Sequence, residues 1–455
     1  MSLLGPWLVF PLVLGGFSLG CALLLERVAG RSLPGTLVLP AGFAAVVVVA
    51  QLATVADATA ELAAPAVVGL AVAGIGVAFP PGRRRPAAAP TAAAFAVFAA
   101  FAAPVVFSGE ATFAGYIKLD DTATFLALTD RAMEHGRNLD GLAPSSYEAT
   151  LQINLGNGYP LGALLPLGVG AALVGQDIAW VFQPYLAFLA ALLALSLYEL
   201  AGRAIESRRL RAAAVFVTAQ PALLFAYSLW GGVKELAAAA VLALAAALLL
   251  QPRAAVRAVV PLAVAGGAAI GILSLGGAVW LLPVLLAAGS RLPALAGLTI
   301  VLSLPSLLAA GSFLRSSNVD SFTSGGELGN LIEPLSPFQL LAVWPVGDFR
   351  LRPDEIEATY ALAALVALMA TLGVAWAWKR RASSLLAYTA SATLGLLVYA
   401  GLGSPWVDAK AFATAAPAFL LAALCGCATL LARGRRVEAA VANTFASTHG
   451  DPRPA

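Results

Sequence analysis

The sequence predicts an all-α polytopic membrane protein with about 13 transmembrane helices. Hydrophobic residues fill 60% of the 455 positions and charged residues only 11%, and the mean hydropathy is +0.87. A soluble fold carries about a quarter charged residues and cannot hide this much apolar surface from water. Lipid is therefore the expected solvent for most of the chain. Helices satisfy their own backbone hydrogen bonds there.

Thirteen apolar stretches approach the ~20 residues that a helix needs to cross a ~30 Å hydrocarbon layer. They divide the chain into N-terminal transmembrane helices at 1–90, a membrane core at 91–436 and a tail at 437–455 that is expected to be disordered and cytoplasmic. The predicted spans are 3–25, 36–56, 62–79, 91–107, 179–201, 212–229, 235–250, 258–274, 277–290, 293–310, 357–378, 384–402 and 411–432.

The basic residues predict the orientation of these spans, because Lys and Arg stay on the cytoplasmic side. Four arginine-rich clusters, at 83–85, 203–211, 379–381 and 433–436, share one side only if the apolar stretch 159–175 does not cross. We therefore interpret that stretch as a re-entrant or interfacial helix. The cytoplasmic loops then hold 18 Lys and Arg against four acids, and the outward loops hold eight against 19. We expect a multi-pass protein of the plasma membrane.

Two outward loops are large, at 108–178 (with the re-entrant stretch) and 311–356. Three of the four lysines also face outward, and each has an acid nearby, whereas the chain elsewhere meets its need for positive charge mainly with arginine. One interpretation is three local ion pairs that fix helix ends. The other is a shared anion site for a phosphate or diphosphate. The pairs are Lys118 with Asp120 or Asp121, Lys234 with Glu235, and Lys410 with Asp408.

The adjacent carboxylates Asp120 and Asp121 are the strongest candidates for catalysis. They precede a predicted amphipathic helix at 122–135, whose charged residues lie on its wetter side. Neighbouring side chains point in different directions, so the two carboxylates cannot both face one substrate atom. One is expected to accept a proton from an acceptor hydroxyl, while the other pairs with Lys118 or caps the helix.

The residues before the re-entrant stretch suit a sugar, which needs hydrogen bonds and a stacking face, but they equally suit a plain turn. They are Tyr147, Glu148, Asn157 and Tyr159. With only two histidines in the chain, a histidine-based metal site is not expected. A carboxylate-bound Mg²⁺ or Ca²⁺ stays open without a spaced motif to support it. Basic residues form no stripe with aromatics, which argues against nucleic-acid binding.

From about residue 91 to 432 the chain resembles the GT-C superfamily of polyprenyl-phosphate-sugar-dependent membrane glycosyltransferases. The resemblance rests on Asp120-Asp121 in the first large outward loop, the helix after them, Tyr159-Pro160, and the outward Lys234 and Lys410. It implies a polyprenyl-phosphate sugar donor and a glycan or lipid acceptor, as in cell-wall or other glycan synthesis. Inversion in a single displacement with an Asp base would follow. The implied phosphate-binding residues are Lys118, Lys234 and Lys410, then Arg137, Arg315, Arg350 and Arg352.

Other classes of protein share part of this pattern. A transporter or lipid-linked sugar flippase is also polytopic, but it is expected to place ionisable or helix-breaking residues at mid-bilayer, often in repeated halves. Here the charges collect at the outer surface, and the two halves of the sequence do not match. An enzyme like an O-antigen ligase or polymerase stays open. A noncatalytic scaffold would not need a concentrated polar loop.

Overall fold

A computed structural model describes residues 3–77, 87–108, 120–249, 255–316 and 322–448, although the side chains of residues 120, 433 and 435–448 are not described. Lys118 thus lies outside the described residues. Every regular element in the described part is a helix. The large exposed side chains of the helix Ile356–Lys379 include Leu362, Leu365 and Leu368, which recur every three residues. This stripe is a surface suited to lipid rather than water.

The helices are numbered in chain order, and short 3₁₀ and π turns join several of them. They are α1 Phe10–Ala29, α2 Gly35–Ala53, α3 Asp57–Ala60, α4 Ala63–Val77, α5 Ala88–Val106, α6 Asp120–His135, α7 Ser146–Leu151, α8 Leu165–Val174, α9 Ile178–Leu200, α10 Arg208–Thr218, α11 Ala222–Leu229, α12 Val233–Ala247, α13 Val260–Leu273, α14 Gly276–Ala287, α15 Leu292–Leu302, α16 Leu304–Phe313, α17 Ile356–Lys379, α18 Ser383–Leu402 and α19 Pro405–Thr448.

The architecture confirms a polytopic, membrane-spanning class, but the predicted count of 13 spans is not confirmed. In the described part, nine helical segments are long and apolar enough to cross a membrane, and eleven if two bent pairs each count as one span. The pairs are α10 with α11, bent by 57°, and α15 with α16, bent by 69°. The stretches predicted at 235–250 and 277–290 form helices of only 15 and 12 residues.

Helix α8 occupies the stretch that we interpreted as re-entrant. Its ten residues rise about 15 Å, which is half the thickness of the hydrocarbon layer. Seven of them are buried, and α8 packs against α1, α2, α6 and α9. A buried helix of this length cannot cross the bilayer alone. This agrees with the distribution of arginines, which requires that the stretch 159–175 does not cross.

Loops that the charge pattern places outside lie together at one end of the bundle, which we call the outer end. The Asp57 carboxylate, between α2 and α4, lies 3.0 Å from Nδ1 of His135 at the end of α6 and accepts a 2.8 Å hydrogen bond from Asn138. Both contacts lower the pKa of Asp57. They attach the helix that begins with Asp120-Asp121 to the loop before α4.

The loops predicted to be cytoplasmic lie together at the opposite end, the inner end. Thr36, at the start of α2, donates a 2.7 Å hydrogen bond to Glu199 near the end of α9. Arg203 donates to the carbonyl oxygen of Arg381, between α17 and α18, at 3.4 Å. The last helix continues from this end through Thr448, so residues 437–448, which the sequence analysis assigned to a disordered tail, continue an alanine-rich helix.

Candidate functional site at the outer end

The acidic pair begins α6, two residues before the predicted start of this helix. Asp121 is half-buried there, and only the backbone of Asp120 is described. Carboxylates in the first turn of a helix are favoured by its dipole. Thr122 follows, buried, and its hydroxyl oxygen has no hydrogen-bond partner among the described residues. The pair thus sits where the outer loop meets the helical core.

The turn between α11 and α12 is pressed against this helix start. Gly231 has φ +99°, a conformation that side chains disfavour, and a Cβ placed on it would collide with Oγ1 of Thr122. The turn can lie this close only because residue 231 is a glycine. It leads directly into α12, whose second and third residues are Lys234 and Glu235. Glu235 is only 4% exposed. The two segments therefore bring the acidic pair and this Lys-Glu pair to one place.

Tyr159 lies at the centre of the candidate site. The ammonium of Lys234 stands 4.5 Å from the centre of its ring, and Phe125 of α6 packs against the ring at 6.3 Å. Burial raises the pKa of the Tyr159 phenol; Lys410 opposes this shift, whereas Asp121 and Glu235 add to it. One phenol therefore feels charges from α6, α12 and α19, which are far apart in the sequence.

Arg137 holds the backbone beneath this ring. Its guanidinium donates to the carbonyl oxygen of Tyr159 at 2.7 Å and to that of Leu155 at 3.3 Å. Burial lowers the pKa of Arg137 to about 10, so the group stays charged near neutral pH. A side chain engaged in this way positions Tyr159, and its observed contacts are to backbone rather than to the lysine pair.

The first turns of α19 supply the second lysine. The ammonium of Lys410 stands 4.4 Å from the ring centre of Trp406, one helical turn earlier, and Trp406 packs edge-on against Tyr227 at 5.8 Å. Asp408 lies between them in sequence. Its Oδ1 is buried with no hydrogen-bond partner among the described residues. A buried carboxylate oxygen in this state is an acceptor available to a ligand.

The large loop before α17 completes an aromatic wall. Arg350 stacks on Trp230 at 4.2 Å, and the ring of Phe349 lies 5.2 Å from the same tryptophan. The Arg350 guanidinium also holds both oxygens of Asp348, with a shortest distance of 2.7 Å, and this lowers the pKa of Asp348. Arg350 is thus near the site, but its charge is already neutralised by a carboxylate.

The remaining predicted site residues make local contacts instead. Tyr147 donates to Asp130 at 3.1 Å, and Asn157 donates to the carbonyl oxygen of Ile153 at 3.0 Å. The other three have their own surroundings. Glu148 is in the first turn of α7, where its backbone N–H donates to the Ser145 hydroxyl. Arg352 pairs with Glu333 at 3.1 Å, and Arg315 is exposed.

Two aromatic residues of the wall, Tyr227 and Phe349, were not singled out by the sequence analysis. Phe349 directly precedes Arg350, which the sequence analysis named, and Tyr227 precedes Trp230, another aromatic residue of the wall, by three positions. Residues three apart share a helix face, which is the signal that was available.

No protein-family model matches the chain, and no curated protein matches it. Among the described residues, no group of three or more His, Cys, Asp or Glu could hold a metal ion.

Proposed function

We propose that this protein is a membrane glycosyltransferase that moves a sugar from a polyprenyl-phosphate donor to a glycan or lipid acceptor at the outer face of the membrane. The observation that carries the proposal is the convergence on Tyr159. Two lysines and two carboxylates, from three separate helices, act on this one half-buried tyrosine. A donor with an anionic leaving group needs cations, and an acceptor hydroxyl needs a base, so both requirements are met at one place.

The lysines are suited to a phosphate because of their partners. Lys234 and Lys410 each lie over an aromatic ring, and neither makes an ion pair with a carboxylate in the described part of the chain. A ring attracts a cation through its quadrupole but carries no net charge. The two ammonium groups therefore retain their positive charge. A phosphate can accept charge-assisted hydrogen bonds from both.

The proposed reaction is a single displacement. The acceptor hydroxyl oxygen forms a bond to the anomeric carbon while the bond from that carbon to the phosphate oxygen breaks. The hydroxyl proton passes to Asp121 or Asp120, and the bonding electrons leave with the phosphate, so polyprenyl phosphate is released. Lys234 and Lys410 stabilise the charge that develops on that phosphate. Glu235 and Asp408 offer oxygens to substrate hydroxyls.

The test uses purified full-length protein in lipid nanodiscs with a panel of polyprenyl-phosphate sugars. Release of polyprenyl phosphate is measured, since every such donor yields this product. We expect Asp121→Asn or Asp120→Asn to lower turnover by about 100-fold or more, as loss of a general base does. Asp130→Asn, on the exposed side of the same helix, is the control and should keep full turnover. Full activity in both single variants of the pair would exclude it as the base.

A lipid-linked sugar flippase is the second candidate, and one observation favours it. The spans α10–α11 and α15–α16 are broken, and transporters build binding sites from broken helices. The breaks carry Gln220 and Ser303 rather than charged residues. Transfer of a fluorescent polyprenyl-phosphate sugar from one leaflet of a proteoliposome membrane to the other, without release of polyprenyl phosphate, would support the flippase over the glycosyltransferase.

A further inference from the structure

A large cavity opens at the inner end of the bundle, far along the helices from Tyr159. Its volume is about 750 Å³, within the range of ligand sites in proteins. It lies where α2 begins, where α9 and α12 end, and where α17 turns into α18. A second cavity of about 560 Å³ adjoins it and shares Arg203 and Trp376. We call the two together the inner recess.

Among the described residues, five cations and two acids line the inner recess. The acids are Glu199 and Glu206, and Glu199 already accepts the hydrogen bond of Thr36. The excess of positive charge is therefore not neutralised by the walls. The cations are Arg31, Arg203, Arg211, Lys379 and Arg380.

The five cations differ in what already holds them. The guanidinium of Arg211 donates to the carbonyl oxygens of Ile205 and Gly202, at 2.8 and 3.1 Å, so it shapes the wall. Arg31 is different, because its Nε is buried and has no hydrogen-bond partner in the described part of the chain. Burial also lowers the pKa of Arg31. Leaving a buried donor of a charged group without a partner destabilises the protein, and a bound anion would remove that cost.

The apolar walls indicate what kind of anion would fit. The exposed Leu372 and Leu430 line the second cavity, and the half-buried Leu249 and Trp376 line the main one. A phosphate alone would leave these side chains in contact with water. A phosphate that carries hydrocarbon chains would contact the cations with its head and the leucines with its tails. Basic pockets between transmembrane helices on the cytoplasmic side are suited to this class of ligand.

We propose that the inner recess binds the phosphate head group of an acidic glycerophospholipid from the cytoplasmic leaflet, with Arg31 as its principal contact. The ordinary preference of Lys and Arg for the cytoplasmic side explains why cations are present here. It does not explain a cavity of this size or a buried guanidinium nitrogen that has no acceptor among the residues the structure describes. The proposal is independent of any catalytic activity at the outer end.

The test is native mass spectrometry of the purified full-length protein, titrated in detergent with phosphatidylglycerol. Arg31→Gln should weaken retention about tenfold, the effect of losing one charge-assisted contact. Since Arg31 is partly buried, Lys379→Gln with Arg380→Gln provides a second variant at exposed positions, and it should also weaken retention. Arg209→Gln removes the same charge from an exposed inner-end site outside the recess and should change retention less than twofold.

Further arms of the titration separate the sources of the phosphate. Phosphatidylcholine should be retained at least tenfold more weakly than phosphatidylglycerol, and glycerol phosphate or inorganic phosphate should not compete at equal concentration. Competition by either soluble phosphate, lost in Arg31→Gln, would make this a site for a soluble anion and overturn the lipid assignment. Equal retention by Arg31→Gln, the Lys379/Arg380 variant and the wild-type protein would remove the site altogether.

Discussion

Replacing Lys234 by alanine is the sharpest test of the proposed phosphate site. The change removes the ammonium that stands 4.5 Å from the Tyr159 ring centre and leaves the neighbouring residue Glu235 unchanged. The lost cation–π contact is worth about 1 kcal/mol to the folded protein. Loss of this contact lowers the thermal stability of the protein. It lowers the affinity for the ligand only if the ammonium also contacts the ligand. A separate stability measurement therefore distinguishes the two effects.

The expected loss of affinity follows from the same geometry. A hydrogen bond between an ammonium and a phosphate contributes about 1.5–3 kcal/mol, which corresponds to a roughly 10- to 150-fold rise in Kd. Coulomb attraction at 4 Å and an effective dielectric constant of 20 gives about 4 kcal/mol, an upper limit that agrees with this range. Lys410→Ala is expected to act alike, since Lys410 also reaches Tyr159 electrostatically.

Equilibrium binding of tritiated polyprenyl phosphate to nanodisc-embedded protein measures the effect without knowledge of the sugar. Ionic strength is held near 0.15 M, because screening alters such contacts. Arg209→Ala serves as the control, since Arg209 is exposed at the inner end and lies outside both proposed sites. The reasoning is refuted if both Lys234→Ala and Lys410→Ala bind within about twofold of the wild-type protein.

Three more predictions concern the supports of the site. Arg137→Met should lower the melting temperature measured by thermal unfolding. The partly buried carbonyl oxygens of Leu155 and Tyr159 lose their donor, at a cost of up to about 1–3 kcal/mol each. Gly231→Ala should abolish turnover, and Gly231→Asn should be impaired similarly. Asn tolerates positive φ better than Ala, but any Cβ at this position meets α6. Wild-type activity in either variant would contradict this. The Asp57–His135 contact should persist at neutral pH and be lost only below about pH 3.8. The pKa of Asp57 is lower in the folded protein than in the unfolded chain, so its ionised form stabilises the fold above the unfolded-state pKa. Hydrogen exchange of α6 measures this, and α6 of Asp57→Asn should exchange faster already at neutral pH.

The sequence predicted the class of fold because hydropathy acts on whole segments. It could not predict the number of spans, since this depends on where helices break. Helix α12 is 15 residues long yet almost wholly buried, and α15 ends at Leu302 before a 69° bend. Packing against neighbouring helices allows such short pieces, and no local pattern reports that packing.

For the candidate site, sequence reasoning singled out residues whose charge was unusual but did not identify their contacts. Lys234 and Lys410 stood out because lysine is rare in this chain and faces outward. One of the two interpretations paired them with the adjacent acids, whereas the structure stacks them on Tyr159 and Trp406. Adjacent residues on a helix point apart, so Lys234 contacts a ring from a distant part of the sequence and Lys410 contacts the ring one helical turn before it. Only a three-dimensional structure brings Tyr159 to Lys234 across 75 positions.

The scattered origin of the site has a consequence for biosynthesis. Asp121 and Lys410 are separated by about 290 residues, which a ribosome adds in roughly 15–60 s. During that interval the segment that carries Asp121 has been synthesised, but the lysine and tryptophan of α19 do not yet exist. A nascent chain therefore holds only part of the candidate site. The site is complete only when the final helix has been made, so translation itself sets the moment at which its charges come together.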